Sequence, residues 1–233
     1  MEIKTDLCTG CRQCIIVCPV QAIKLVDNKA FINKELCVEC AVCYRDAECP
    51  VKAIRSRRLN WPRLIRSPFS NVIATHKITG IPGRGTEEMK TNDVTHRYGI
   101  GEIGVFIELG RPGIGTYLRN IELFTIELVK VGVKFEPKNP VTAILIDEEG
   151  HIKDEIKNEK VLSAAIEFKI PENKLNGILE VIKDLDKKID TVFSVGIVTR
   201  IRESGDIPII DIITQEGFNV RPNAKINIGL GKS

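Results

Sequence analysis

Beyond Cys49 the chain has no cysteine: all eight lie between Cys8 and Cys49. Aromatic residues are scarce at 5%, with a single tryptophan. The three histidines, His76, His96 and His151, are too widely spaced for a mononuclear metal motif. No stretch approaches the roughly eighteen uninterrupted apolar residues of a membrane-spanning helix, and Met1-Glu2-Ile3-Lys4 opens no apolar leader, so a cytoplasmic protein without membrane contact is expected. Neither sign of charge dominates: 34 Lys and Arg against 31 Asp and Glu leave +3, too little to argue for nucleic acid. What is present is apolar sequence, 43%, enough for one large core or two modest ones. Arg55, Arg57, Arg58, Arg63 and Arg66 crowd together with no acidic residue among them. That run fits either a solvated joint or a docking surface for an acidic partner or anionic cofactor.

The cysteines form two copies of one pattern. The first reads Cys8-Thr9-Gly10-Cys11-Arg12-Gln13-Cys14-Ile15-Ile16-Val17-Cys18-Pro19, or C-x2-C-x2-C-x3-C-P. The second reads Cys37-Val38-Glu39-Cys40-Ala41-Val42-Cys43 and then, after five residues, Cys49-Pro50. The flanks repeat as well: Asp6-Leu7 matches Glu35-Leu36, and Val20-Gln21-Ala22-Ile23 matches Val51-Lys52-Ala53-Ile54. The offset grows from 29 residues (8 to 37) to 31 (18 to 49), placing a two-residue insertion within Tyr44–Glu48. Three thiolates closely spaced on one loop reach three irons of a cubane, and the fourth must come from elsewhere. In the dicluster arrangement the cysteine before proline serves the cluster of the other copy. That logic gives Cys8, Cys11, Cys14 and Cys49 to one [4Fe-4S] cluster, and Cys37, Cys40, Cys43 and Cys18 to a second. Disulfides need an oxidising compartment, and structural zinc prefers paired C-x2-C motifs to three thiolates on each loop, so the pattern favours iron–sulfur. Between the motifs, Ala22–Val26 and Ala30–Ile32 flank Asp27-Asn28-Lys29 as a hairpin.

On these residues, positions 1–57 resemble the bacterial-type 2[4Fe-4S] dicluster ferredoxin family. The resemblance implies a low-potential one-electron carrier from an anaerobic or strictly reducing cell. The sequence departs from the family in the five-residue gap before Cys49, where three are usual, which alters the loop beside the cluster that Cys49 serves.

Residues 58–101 read as a basic and Gly-rich linker or binding loop, with Arg84, Asn92, His96 and Arg97 as its polar groups. From 102 onward the periodicity is regular. Ile103–Leu109 reads as a buried strand, and Thr116 as the cap of a helix with Tyr117, Ile121, Phe124 and Leu128 on one face and Gly132 at its end. Pro140–Ile146 reads as a strand, and Leu162, Ala164, Ile166, Phe168 and Ile170 alternate as another. Pro171 opens a helix burying Leu175, Ile178, Leu179, Ile182 and Leu185, and Phe193 begins a further strand. Ile209, Ile210 and Ile212, then Ile226 and Ile228, suggest edge strands. The expected fold class is therefore α+β: a dicluster ferredoxin domain at 1–57, then a ferredoxin-like or ACT-like split β-α-β sandwich at 102–233 for docking or ligand binding.

The turn Gly110-Arg111-Pro112-Gly113-Ile114-Gly115-Thr116 leads from strand to helix, where free N–H groups favour an anion. Gly110, Arg111, Gly113, Gly115 and Thr116, with Arg84, form the candidate anion-binding set; the alternative is that these glycines only shape the turn. The leading functional expectation is an electron-transfer subunit of a larger anaerobic oxidoreductase, with a protein redox partner and two [4Fe-4S] clusters, rather than an enzyme alone. Two alternatives are a self-contained reductase binding an anionic small molecule on its C-terminal domain and a redox-linked ligand sensor. No nucleic acid is expected, and self-association is left open.

Overall fold

The computed structural model describes residues 1–75, 77, 80, 97–111, 113–207 and 209–220. The fold mixes helix and strand, and its buried apolar residues form two clusters, one at the N-terminus and one centred on the residues after 102.

The N-terminal part is a pseudo-repeat written into the backbone. β1 (Glu2–Ile3) pairs antiparallel with β4 (Ile54–Arg55), and β2 (Ile23–Val26) with β3 (Lys29–Ile32). Asp27 and Asn28 join β2 to β3 with φ of 48° and 58°, the left-handed pair required by a type I′ hairpin. A short helix starts shortly after the second cysteine of each motif, α1 (Gln13–Ile16) and α2 (Val42–Asp46). Left-handed residues recur at matching places: Gly10 with Glu39, Arg12 with Ala41, and Gln21 with Lys52. The second copy, which carries the insertion, has a helix of five residues against four, and left-handed Glu48, φ 43°, lies in the lengthened segment.

The second core lies between a sheet and two amphipathic helices. β5 (Glu102–Leu109) is the middle strand, antiparallel to β8 (Ala164–Pro171) on one side and to β9 (Phe193–Val198) on the other. Ile103, Val105, Ile107 and Leu109 of β5 are buried in one cluster with Ile121, Phe124 and Leu128 of α3 (Leu118–Lys130). Leu175, Ile178, Leu179, Ile182 and Leu185 of α4 (Leu175–Asp186) complete it. Burying a side chain of this size stabilises by about 1.5–3 kcal/mol, so these residues outweigh the weak local preference of any one segment. Gly132, φ 81°, ends α3 as expected, and Val133 N–H donates to the Leu128 carbonyl at 3.0 Å. After α3, Phe135 forms a single antiparallel bridge to Phe168 on the free edge of β8, and Glu136 N–H donates to the Glu167 carbonyl at 2.8 Å.

Several local expectations are corrected. Pro140–Ile146 is not a strand: Val141–Leu145 coils as a π-helical turn, started by Pro140 in helical geometry and by Asn139 Oδ1, which accepts from Val141 N–H at 2.7 Å. A short apolar run carries no period that separates helix from strand. Thr116 does not cap α3. It lies in β6 (Thr116–Tyr117), paired antiparallel with β7 (Lys160–Val161), and α3 starts two residues later. Pro171 ends β8, and a 3-10 turn, Glu172–Lys174, precedes α4. Ile209–Gln215 forms a helix, α5, not an edge strand, while Ile226 and Ile228 lie outside the described residues. In β8, Ala165 and Glu167 are buried along with the alternating set, because both faces of that strand are covered. Among the described residues no helix is long and apolar enough to cross a membrane.

The segment after β4 binds the two parts together. Arg63–Arg66 is a 3-10 turn whose Ile65, with Phe69 beyond it, enters the second core. Leu162 N–H donates to Ser70 Oγ at 2.8 Å.

Candidate metal centre

The four-cysteine sets emerge from this repeat. Cys8, Cys11, Cys14 and Cys49 line one hollow, which surrounds about 320 Å³ of space, partly open to solvent. Cys18, Cys37, Cys40 and Cys43 line another of about the same size. Each hollow thus takes three cysteines from one loop and the proline-adjacent cysteine of the other copy. Apolar neighbours complete the walls, Ile3, Ala53 and Ile54 in the first and Ile23, Ile32 and Val38 in the second.

Backbone N–H groups point at the sulfurs. Ala22 N–H donates to Cys18 Sγ at 3.2 Å, and Ala53 N–H does the same to Cys49 Sγ at 3.3 Å, an equivalent bond in each copy. Cys8 Sγ accepts from both Gly10 and Ala30, at 3.4 and 3.3 Å. Two of the donors directly follow left-handed residues, Ala22 after Gln21 and Ala53 after Lys52. Every left-handed non-glycine residue among those described lies between Arg12 and Lys52. Such conformations cost on the order of 1–3 kcal/mol each and persist where surrounding structure fixes them, commonly at functional sites.

The sulfurs are also coupled electrostatically along the same lines. Burial first, then the neighbouring Cys11, Cys8 and Cys49, pushes the Cys14 thiol up from its usual range. Burial, then Cys40, Cys37 and Cys18, pushes Cys43 up to about 12. Cys37 and Cys40 are raised mainly by burial too. Thiols so placed lose their protons readily only when a cation sits among them. Among the described residues, no three His, Cys, Asp or Glu side chains converge tightly enough for a single metal ion. The donor set, the apolar walls and the N–H···S bonds fit a cubane iron–sulfur cofactor, which would supply one-electron redox chemistry there.

The two loops differ in access. Cys11 is the one exposed cysteine, whereas Val38, Glu39, Cys40 and Ala41 are all buried. The second loop is wrapped. The N-terminal ammonium pairs with Glu39, and Arg63 Nε donates to Glu39 Oε1 at 2.7 Å. Arg66 Nη1 donates to the carbonyls of Lys34, Glu35 and Cys37 at 3.0, 3.2 and 2.7 Å, while its Nε pairs with Glu159, ninety-three positions away. Arg63 and Arg66 therefore form neither a solvated joint nor a free docking surface; Arg55, Arg57 and Arg58 are exposed. Sequence reasoning missed the Glu39–Arg63 and Arg66–Glu159 contacts. The available signal was a run of arginines with no local acid to pair with.

The Gly110–Thr116 loop lies against the second hollow. A Cβ on Gly115, φ 74°, would meet the Val161 carbonyl at 2.8 Å and Val20 at 3.5 Å, so a glycine lets the loop fit beside the Cys18–Val20 segment. Gly113 approaches the Pro19 carbonyl, and Gly110 N–H donates to the Val192 carbonyl at 2.8 Å. Arg111 lies 3.5 Å from Glu108, and Thr116 is buried with its hydroxyl accepting from Asn120 at 3.3 Å. The first two N–H groups of α3 go to the carbonyls of Glu159 and Lys157. Arg84, like His76 and His96, lies outside the described residues.

Comparison with known proteins agrees with the cysteine chemistry. Residues 1–24 match the 4Fe-4S binding domain. Ferredoxin-1 of Caulobacter vibrioides is 42% identical over 55 residues, 23% of this chain and 47% of that protein. Formate hydrogenlyase subunit 2 of Escherichia coli is 39% identical over 72 residues, 29% of this chain and 34% of that protein. Ferredoxin 7Fe of Hydrogenibacillus schlegelii is 36% identical over 52 residues, 22% of this chain and 64% of that protein. The matches span about a third to two thirds of these relatives' lengths. No solved structure matches. The N-terminal segment is thus a ferredoxin-type iron–sulfur segment.

Proposed function

We propose that this chain carries electrons one at a time through two [4Fe-4S] clusters and serves a larger oxidoreductase as its electron-transfer subunit. Cys8, Cys11, Cys14 and Cys49 hold the first cluster, and Cys37, Cys40, Cys43 and Cys18 the second. One observation carries the reading: each hollow is completed by the proline-adjacent cysteine of the opposite motif. The subunit role draws on the likeness to formate hydrogenlyase subunit 2 and on a C-terminal part that a free carrier would not need. We read 1–57 as the cluster domain and 58–101 as a joint anchored by the buried Ile65, Arg66, Phe69 and Ser70. We read 102–233 as a split β-α-β domain whose fourth strand has shrunk to the Phe135–Phe168 bridge. In this reading the Gly110–Thr116 loop seats the Cys18–Val20 segment. The chain's own residues hold the thiolates, direct N–H groups at them and wall both hollows with apolar side chains.

The test is anaerobic purification followed by iron and acid-labile sulfide analysis and electron paramagnetic resonance. About eight irons per chain and two interacting low-potential centres are expected. Zinc in their place, or a colourless protein, refutes the reading. A stoichiometric partner retained from anaerobic lysate tests the subunit role, and a chain recovered alone at every salt concentration counts against it.

A further inference from the structure

We propose that the surface around Cys11 is the docking face for an acidic redox protein, and that electrons cross there and not at the second cysteine loop. The inference rests on the iron–sulfur reading above and adds the port and the partner's chemistry.

Electron tunnelling weakens steeply with distance, so exchange favours the site where least protein intervenes. That site is the first hollow, where Cys11 is exposed; in the second Cys40 and Cys43 are buried, Cys18 and Cys37 are half-buried, and Arg63 and Arg66 bind the Cys37 carbonyl. Leu7 and Ile16, 43% and 77% exposed, place apolar surface beside the first loop. Cations surround it. Arg12 lines the hollow itself, Lys52 lies between the lining residues Val51 and Ala53, and Arg55 follows the lining residue Ile54. All three are exposed, and Arg57 is near enough to act on Glu2. Acids near this side include Glu2, already paired with Lys4 at 3.0 Å, the exposed Asp6 and Glu48, and the exposed Asp27 beside Asn28, which packs on Gly10; Lys29 adds a cation at the Cys8 carbonyl. A small apolar centre with a predominantly basic rim matches a partner that presents carboxylates around an apolar contact.

The test uses the full, iron-loaded chain. Arginine modification by phenylglyoxal, read residue by residue by mass spectrometry, is compared with and without poly-L-glutamate. Arg12 and Arg55 are expected to be protected several-fold, and Arg202, 56% exposed on the far part of the chain, not at all. In parallel the reduced protein is oxidised by anionic cobalt(III)–EDTA or by cationic hexaamminecobalt(III). Each complex takes one electron from the reduced cofactor and becomes cobalt(II). Added salt is expected to slow the anionic reaction and speed the cationic one. The Arg12→Gln/Arg55→Gln variant should lose roughly tenfold of the anionic rate at low salt, and Lys174→Gln none. Equal protection of Arg202, equal protection by duplex DNA, or the opposite salt dependence overturns the proposal. Iron content is measured first. A full complement of iron without these charge effects refutes the docking face alone, whereas absence of iron–sulfur signatures refutes the reading beneath it.

Discussion

The two cysteine loops share a backbone and differ in their surroundings. Left-handed residues, a short helix and an N–H···S bond recur at matching places, yet Cys11 is exposed while Cys40 is buried. Motif spacing dictates how thiols face a cofactor. Access is decided by contacts far away in sequence, here by Arg63, Arg66 and the chain's first residue.

The sharpest way to break this comparison is to exchange ligands. Cys18→Ser should empty the inner site although Cys18 belongs to the first motif, and Cys49→Ser should empty the outer one. Each variant is expected to keep about four irons. A soluble gadolinium chelate should broaden the remaining signal strongly in Cys18→Ser and weakly in Cys49→Ser; the reverse pattern means the cysteines do not cross.

Next in size is Arg66→Ala. It leaves Glu159 and the Glu35 carbonyl without their cation, with Arg63 still donating to the Lys34 and Cys37 carbonyls, in a site where the Arg66 side chain is 4% exposed, and should cost about 3–5 kcal/mol in denaturant unfolding of the holoprotein. Arg12→Ala should stay within about 0.5 kcal/mol. If the two costs are equal, the wrapping of the inner loop has no energetic meaning.

Gly115→Ala should cost about 1–3 kcal/mol, since the new Cβ would meet the Val161 carbonyl at 2.8 Å in a left-handed conformation. It should also speed iron loss to a chelator from the inner site alone. Uniform loss from both sites would separate the Gly110–Thr116 loop from the cysteine it lies beside. The smallest effect belongs to Ile16→Ser, within about 0.5 kcal/mol because that side chain is 77% exposed. A larger cost, read in the same unfolding experiment, would mean that the outer loop is more enclosed than its exposure suggests.

Much of this was legible where the physics is local. Asp27-Asn28 announces a hairpin because both residues tolerate positive φ, and Leu175, Ile178, Leu179, Ile182 and Leu185 announce α4 because its stripe is unbroken. The repeated cysteines announce their chemistry because few other centres need that spacing. The misses fall where local signals run out. Val141–Leu145 is too short to show a period, and Ile209–Gln215 has the β-branched composition of a strand yet packs its Ile209 as a helix. Thr116 has a capping side chain, but pairing with Val161 claims its backbone. The enclosure of the second loop depends on Arg66 meeting Glu159, a contact that nothing within either segment encodes.

The left-handed positions have a consequence for how duplicated halves come to differ. Because the loop's form resides in main-chain angles, the side groups at those places are at liberty: Gly10 stands where the other half has Glu39, and Arg12 where it has Ala41. One half can carry a cation at its lip while its twin uses a carboxylate to tether the chain's own beginning. A single template thereby yields one lip that bares a cysteine and another that bares none, without disturbing the sulfurs.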